Sequence, residues 1–243
     1  MSEREEVLLE RAFVLHHRPY RNTSQLIDCL TSRYGRIGLV AQGSRVAKSN
    51  RRALLQPFVP LVVSWVRRGE LGRLIHVEAG AASLELGGDH LLAGFYVNEL
   101  VLRLLARSDP NAEVYSCYSE CLQGLASGAG VARTLRLFEL ALLRALGYGL
   151  GLDCDAQTGE PLRAEDTYIV EPETGPVRAE GAGCVPAYRG KDLISLRERS
   201  LDDPDSLRAA RALLGRILDT YLGERPLKSR GVFKEIVDRG FNR

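Results

Sequence analysis

A short basic loop is the part of the sequence best suited to phosphate chemistry. The loop is Gly43–Arg52, and its four cations, Arg45, Lys48, Arg51 and Arg52, are accompanied by no acid. Such side chains bind phosphates by releasing condensed counterions, and the small residues between them let the backbone approach an anion closely. Because clustered like charges repel one another, we predict a cationic arm over a polyanion; the alternative is a solvated charged turn.

The loop belongs to a longer basic segment. Residues 11–79 contain twelve lysines and arginines against Asp28, Glu70 and Glu78, a net charge of +9 in a chain whose net charge is +2. A segment this basic favours a nucleic acid as the ligand, since each cation beside a phosphate adds affinity. The candidate nucleic-acid contacts are Arg18, Arg21, Arg36, Arg45, Lys48, Arg51, Arg52, Arg67, Arg68, Arg73, Lys228 and Arg230.

Two aromatic residues accompany these cations. Trp65 shares a predicted strand face with Arg67 and could stack on a base, although the only tryptophan in an apolar strand more often belongs to a core. Tyr20 lies in a polar loop between Arg18 and Arg21, where stacking and an ordinary turn are equally good interpretations.

The sequence offers no catalytic constellation. His16 and His17 are adjacent on a predicted strand and therefore point to opposite faces, so we assign them structural roles. The run Gly35–Gly38 matches neither GxxxxGK[ST] nor GxGxxG before a helix, and no paired carboxylates stand out. We therefore predict a protein that is not an enzyme and that needs no cofactor.

The cysteines give a weak signal for a metal. Cys154 and Cys184 bracket a segment rich in glycine and proline, but a structural zinc site usually needs two cysteine pairs, and each end supplies one cysteine. Cys117 and Cys121 lie one helical turn apart, where buried packing is expected. We predict no metal; a hydrolase built on residues 147–190 is the competing hypothesis, and it requires stoichiometric metal.

The basic segment has the pattern of a small all-β unit. Five short β-rich runs are separated by turn residues, which predicts a five-stranded Greek-key barrel of the OB type, with an SH3-like barrel fitting nearly as well. The runs are Ala12–His16, Gln25–Arg33, Arg36–Ala41, Phe58–Val66 and Leu71–Glu78.

After residue 79 the apolar periodicity becomes helical, so the predicted fold class is α+β. Residues 1–79 are the predicted barrel domain, and residues 80–243 are a helical domain with a loop or hairpin insertion at 147–190 that contains one short β-like run, Asp166–Glu171. The predicted helices are His90–Arg107, Asn111–Leu125, Val131–Leu146, Asp205–Tyr221 opened by Pro204, and Lys228–Arg239.

The last of these helices is basic. Lys228, Arg230 and Lys234 would extend the positive surface if the helix folds back beside the barrel; the alternative is a solvated helix end. No stretch has the length and apolarity of a membrane span, the acidic N-terminus lacks the pattern of a signal peptide, and five scattered cysteines suit a reducing compartment, so we expect a cytoplasmic protein.

Several segments, taken in order, resemble the RecO recombination-mediator proteins of bacterial DNA repair. The similarity covers nearly the whole chain, and the combination of segments is more specific than any one of them. The segments are Ala12–Leu15, Arg33–Arg36, Leu39–Gly43, Leu55–Phe58, Tyr96–Leu100, Arg136–Leu143, Leu146–Gly149 and Pro226–Arg230.

The resemblance implies an N-terminal OB domain, a helical C-terminal domain and a zinc-ribbon-like insertion that keeps its metal only in some members. This chain has Cys154 and Cys184 alone, which implies a degenerate insertion without zinc. The resemblance also implies binding of single- and double-stranded DNA, strand annealing, cooperation with RecR and with the tail of the single-stranded-DNA-binding protein, delivery of DNA to RecA, and association with the nucleoid.

The tail implied as a partner is acidic and ends in an apolar residue. Such a peptide would suit an apolar groove beside arginines, because guanidinium pairs with carboxylate in two-point geometry. The candidate groove residues are Arg103, Arg133, Arg136, Leu137 and Leu140. The leading hypothesis is a DNA-binding recombination mediator, and the alternative is an OB-fold nucleic-acid-binding regulator that does not anneal strands.

Overall fold

The computed structural model describes residues 4–46, 50–81, 83–179, 186–223, 225–229 and 231. They form a mixed α and β structure in which a five-stranded N-terminal sheet precedes a largely helical part, as the sequence predicts. Two compact units are present: Met1–Gly128 together with the described residues from Leu227 onward, and Ala129–Pro226. The division of the chain at residue 79 stays a prediction, and in the structure the first unit extends well beyond that residue.

The five predicted strands are all present. In the order β1-β2-β3-β5-β4 each strand pairs with two neighbours, so the sheet closes on itself, and only the β3–β5 pair is parallel. Closure leaves no unpaired strand edge. The strands are β1 Glu5–Tyr20, β2 Ser24–Thr31, β3 Gly35–Ala41, β4 Leu61–Arg67 and β5 Leu71–Ala79.

Strand β1 is sixteen residues long, much longer than the run that predicts it. Its register shifts between Val7 and Glu10 against β4 and between Val14 and His16 against β2. Such bulges bend a strand and increase its twist. The two irregularities therefore let β1 pair with β4 through its first half and with β2 through its second.

The interior of the sheet is filled by alternate apolar residues of all five strands. Trp65 is 1% exposed and meets Tyr34 edge to face, with 5.3 Å between the ring centroids. Gly72 lies opposite, where an added Cβ would approach Leu39 to 2.7 Å. The interpretation of Trp65 as a core residue is confirmed.

The predicted helices within residues 90–146 are found within a few residues of their expected bounds, and Pro204 opens the following long helix as predicted. Two short helices, α1 and α5, were not predicted. The helices are α1 Asn50–Leu54, α2 Gly88–Leu104, α3 Ala112–Ala126, α4 Val131–Ala145, α5 Gly190–Arg197 and α6 Pro204–Leu222. The predicted helix Lys228–Arg239 lies almost entirely outside the described residues.

Helices α2 and α3 belong to the first unit and pack on β1. The Asn98 amide donates a hydrogen bond to the Leu15 carbonyl at 2.9 Å, and the Tyr118 hydroxyl donates to the Asn98 side-chain oxygen at 2.6 Å. Phe13 meets Tyr118 with 5.2 Å between ring centroids. A satisfied buried polar pair inside an apolar contact fixes one arrangement of helices on the sheet.

The second unit contains helices α4 to α6 and a small antiparallel sheet in the order β7-β6-β8. Its strands are β6 Thr167–Glu171, β7 Gly175–Arg178 and β8 Ala187–Arg189. The predicted β-like run Asp166–Glu171 is therefore confirmed as β6. Cys154 is partly buried before this sheet, and Cys184 lies outside the described residues.

Candidate nucleic-acid interface

Two of the predicted cations point to the exterior of the closed sheet. Cross-strand pairing runs from Arg18 to Leu26, from Leu26 to Val40 and from Val40 to Arg73. Directly paired residues share a face, so Arg18 and Arg73 both project outward, and both are exposed. Measured around the closed sheet, three strand spacings of about 4.8 Å, about 14 Å in all, lie between them.

Two more cations lie beside Arg18, at the turn between β1 and β2. The Arg45 amide donates to the Thr23 carbonyl at 3.0 Å, and its guanidinium donates to the Arg21 carbonyl at 3.3 Å. The Arg21 guanidinium lies 5.2 Å from the centroid of the Tyr20 ring. We call Arg18, Arg21, Arg45 and Arg73 the basic face. Stacking of Tyr20 on a base stays a prediction.

The second half of the basic loop folds as helix α1 and contacts β5. The Arg51 guanidinium donates to the Ile75 carbonyl at 2.9 Å, while Arg52 is exposed. Lys48 lies outside the described residues. The loop therefore joins the turn that carries Arg21 to the strand that carries Arg73.

Apolar residues of β5 lie on either side of Arg73 of the basic face. They were not singled out from the sequence. Leu71 and Ile75 are each 40% exposed and flank Arg73 on the outer side of the strand. Exposed apolar side chains beside a cation suit the bases and sugars of a strand whose phosphates the cation binds. The period-two pattern Leu71, Arg73, Ile75 was the available signal.

A small concavity of about 220 Å³ lies where β1, β4 and β5 meet, and we call it the four-arginine pocket; Arg4, Val66, Arg67, Arg68 and Arg73 line it. Arg68 and Arg73 are exposed. Arg4 was not predicted as a contact, because it belongs to an N-terminal segment dominated by glutamates.

Arg67 is held in place by two hydrogen bonds and an ion pair. Its Nε donates to a carboxylate oxygen of Glu5 at 2.7 Å, and its Nη1 donates to the Ser108 hydroxyl at 2.9 Å. Its Nη2 forms an ion pair with the same Glu5 oxygen, also at 2.7 Å. The charge of this arginine is thus largely neutralised inside the protein. Arg67 lies with the other candidates, but its guanidinium is already engaged.

Arg36 is also engaged within the first unit. Its guanidinium donates to the Leu102 carbonyl, near the C-terminal end of α2. Burial is the main cause that lowers the pKa of Arg36, and the nearby Arg107 lowers it further, although Asp28 acts in the opposite direction. This half-buried placement favours a structural role for Arg36, as a cation at the negative end of a helix.

The described start of the C-terminal segment is bound to α2. The Glu99 carboxylate accepts hydrogen bonds from the Lys228 and Ser229 amides, each at 2.9 Å, and from the Ser229 hydroxyl at 2.6 Å. Burial raises the pKa of Glu99, but these hydrogen bonds and Arg103 outweigh it and lower the pKa. Lys228 itself is exposed, whereas Arg230 and Lys234 lie outside the described residues.

The candidates for the peptide groove belong to both units. Arg103 lies on α2 in the first unit, while the other four lie on α4 in the second. Arg133 donates to the carbonyls of Ser200 and Arg199 at 2.8 and 2.7 Å. The remaining candidates are Arg136, Leu137 and Leu140.

Arg136 is buried and paired, so it does not present a free guanidinium to a peptide. It is 8% exposed and forms an ion pair with Glu139, which is 1% exposed. Its Nε has no hydrogen-bond partner in the part of the chain that the structure describes. Leu137 and Leu140 are partly exposed on the same helix, and Arg133 is exposed.

Among the described residues, no group of three or more His, Cys, Asp or Glu is placed to hold a metal ion. Within the same ranges, none of the helices has the length and apolarity needed to cross a membrane. Cys117 is buried, which raises its pKa to about 12, and Cys121 is buried as well. The expected packing role of these two cysteines is confirmed.

Comparison with known proteins gives a consistent result over the whole chain. Residues 6–81 match the family model of the recombination protein O N terminal domain, and residues 87–231 match that of the C terminal domain. A DNA repair protein RecO of Methylococcus capsulatus is 44% identical, with 94% of this chain and 93% of the relative covered.

Two further relatives carry the same description. The DNA repair protein RecO of Nitrosococcus oceani is 44% identical, with 95% of this chain and 94% of the relative covered. The DNA repair protein RecO of Haemophilus influenzae is 39% identical, with 93% of this chain and 96% of the relative covered.

Proposed function

Because the chain belongs to the RecO family of DNA repair proteins, we propose that it acts in recombinational DNA repair as a DNA-binding mediator that anneals complementary strands. The observation that carries the DNA-binding part is the basic face, whose four arginines form no ion pair with an acid among the described residues. A positive surface free of internal acids retains its attraction for phosphates.

We infer that the closed sheet is an OB-type barrel. Its strand order, with β1 paired to both β2 and β4 and a single parallel β3–β5 pair, is consistent with a five-stranded Greek-key barrel. OB barrels bind oligonucleotides across one side and the loops beside it. We further infer that the small sheet β6 to β8 is the degenerate form of a zinc ribbon, since Cys154 is accompanied by no second described ligand pair.

Annealing requires no bond making, so a cationic surface can perform it alone. Two strands repel each other through their phosphates, and arginines that neutralise part of this charge lower the cost of bringing the strands together. Base pairing then supplies the driving force. The proposed activity therefore needs neither nucleotide hydrolysis nor a metal ion.

The partners that we propose follow from family membership. They are RecR, the acidic tail of the single-stranded-DNA-binding protein and, through these, RecA loaded on single-stranded DNA, with the protein acting in the cytoplasm at the nucleoid. For the tail, Leu137 and Leu140 supply exposed apolar surface, and Arg133 lies on the same helix. Arg136 would have to leave Glu139 to take part, which makes it the weakest member of the set.

The test is annealing of two complementary oligonucleotides, one labelled with a fluorophore and the other with a quencher, without nucleotide and with chelator present. We expect the protein to accelerate pairing at low salt and to lose this effect as salt rises. The alternative, an OB-fold regulator, predicts tight binding to DNA with no acceleration. A requirement for metal would instead favour the hydrolase hypothesis.

A further inference from the structure

We propose that the four-arginine pocket is a subsite for one phosphate group, in which Arg68 and Arg73 bind the anion while Arg67 serves as a fixed wall. This inference rests on the proposed function and deepens it, since it places a phosphate at a defined point of the DNA-binding surface. It also brings in Arg4, which lies outside the basic segment.

The hydrogen bonds of Arg67 exclude it as the main binding group. All three of its guanidinium nitrogens are engaged by Glu5 or Ser108, two in hydrogen bonds and one in an ion pair, and its side chain is only 22% exposed. A phosphate that displaced Glu5 would leave a carboxylate beside the incoming anion. Arg67 therefore shapes the pocket and joins β1 to β4, and the phosphate is left to its neighbours.

Arg68 and Arg73 have the opposite character. Both are exposed, and neither forms a hydrogen bond or ion pair with any residue that the structure describes. The Arg4 guanidinium lies 3.9 Å from the Glu6 carboxylate, which is a long ion pair, and both side chains are more than half exposed. The pocket thus holds two uncompensated positive charges and a third that is weakly held.

This charge matches a terminal phosphate better than it matches a single carboxylate. A backbone phosphodiester carries one negative charge, and a terminal phosphomonoester carries about 1.5 to 2 at neutral pH. Planar guanidiniums present pairs of donors to the tetrahedral oxygens of either group. The shared chemistry is a phosphate with at least two free oxygens, and internal and terminal phosphates are its two sources.

The position of the pocket connects it with the basic face. Arg73 belongs to both, and its strand partner Val66 supplies the apolar lining of the pocket. A strand that follows the exterior of the closed sheet from Arg18 to Arg73 would therefore bring one of its phosphates to the pocket. An end of the strand would bring its terminal phosphate there.

The experiment compares two matched variants of the full chain. R68Q/R73Q removes the two free charges, and R163Q/R208Q removes two arginines of the second unit whose side chains are 55% and 73% exposed. The net charge changes equally in both. Unfolding midpoints and circular dichroism of each variant, compared with wild type, establish that both fold.

Binding is measured by fluorescence anisotropy at several salt concentrations. The probes are a short oligothymidylate with a 5′-phosphate, the same strand with a 5′-hydroxyl, a circular single strand and a fluorescent peptide of alternating Asp and Glu. Loss of one neutralised phosphate should reduce the slope of log K against log[salt] by about 0.7 units for single strands. We expect this change for R68Q/R73Q and none for R163Q/R208Q.

Comparing the salt slopes of the DNA probes shows whether the bound phosphate is internal or terminal. A reduced slope on all three DNA probes assigns the pocket to an internal phosphodiester, and a reduction confined to the 5′-phosphorylated strand assigns it to a terminal phosphate; both support the proposal. An unchanged slope on every DNA probe overturns it, as does an equal loss in the control variant or a loss seen only for the acidic peptide. Failure of the wild type to bind DNA would overturn the proposed function itself, so the two failures are distinguishable.

Discussion

At the scale of single residues, what distinguishes one arginine from another in this protein is the partner that it has. Arg33 donates to Glu10 at 2.7 Å, which together with the charge of Glu10 raises the pKa of Arg33, while Arg67 is bound to Glu5. Arg68 and Arg73 lack such partners among the described residues. The sequence shows all four as equivalent cations, because the acids that neutralise two of them lie more than twenty residues away.

Trp65 gives a direct test of the interpretation of the barrel interior, because it is the only tryptophan. It is 1% exposed inside the sheet, so a bound strand cannot stack on it. We expect blue-shifted tryptophan emission that does not change when single-stranded DNA is added to saturation. Strong quenching on binding would contradict the core assignment.

Glu99 predicts a pH dependence of stability. Hydrogen bonds from Lys228 and Ser229 lower its pKa in the folded state, so its contribution is fully present above the unfolded pKa of about 4.3 and is lost as pH falls through the folded value. Denaturant unfolding should show E99Q to be less stable than wild type at pH 7 by about 1 to 3 kcal/mol. This difference should shrink in acid; a difference independent of pH would contradict the assignment.

At the scale of elements, the strands were predictable because alternating apolar residues and turn signals are local properties. The same holds for α2, α3, α4 and α6, whose apolar residues recur at helical spacing. Helix α1 lies in a basic loop and α5 begins at the end of the predicted insertion at 147–190, and both are short. Helices of this length depend on tertiary contacts, which the sequence does not display.

The start of strand β4 also depends on contacts that the sequence does not display. The apolar run predicts a start at Phe58, but β4 begins at Leu61. Pro60 has no amide hydrogen for pairing, and Phe58 has a φ of +68°, which is incompatible with an extended strand. The apolar character of Phe58 instead serves contacts with Phe95 and Gly94 of α2.

Helix α4 leads to a prediction about its buried ion pair. Arg136→Glu would place two carboxylates together at positions that are 8% and 1% exposed, so we expect a loss of about 3 to 5 kcal/mol in stability. The exchanged variant R136E/E139R should recover part of this loss in thermal unfolding. Equal stability of R136E and wild type would show that the pair is open to solvent.

The buried pair also decides how the predicted peptide groove should be tested. Because R136E is expected to destabilise the second unit, a loss of peptide binding in that variant would not identify a contact. Leu140→Ser changes a partly exposed apolar position of the same helix. We expect it to weaken capture of an acidic peptide with an apolar end in a pull-down while leaving oligonucleotide binding unchanged; reduced oligonucleotide binding would contradict the separation of the two sites.

At the scale of the whole molecule, the chain begins in the first unit, forms the second, and returns to the first at Leu227. The contacts that produce this arrangement join distant residues: Leu15 with Asn98, and Glu99 with Ser229. Hydropathy periodicity carries no information about such pairs. The sequence therefore indicates where helices begin but not that α2 and α3 join the sheet.

Some features of the candidate site were predictable from the sequence, and others required the fold. Its charge and its location on a small β-rich unit were predictable, because twelve cations against three acids in one segment is a local property. The placement of Arg18 and Arg73 on the exterior of the closed sheet required the strand register, and the addition of Arg4 required the fold. The engagement of Arg36 by the Leu102 carbonyl could not be anticipated for the same reason.

The most direct test of the central claim is a crosslinking measurement on the basic face. Leu71 is 40% exposed beside Arg73, and replacing it with a photoreactive benzoylphenylalanine places a probe on the outer side of β5. A matched probe at the exposed Glu173 of the second unit is the control. With single-stranded DNA bound at low salt, irradiation should crosslink the strand at position 71 and not at position 173. Crosslinking at 173 with none at 71 would contradict the account.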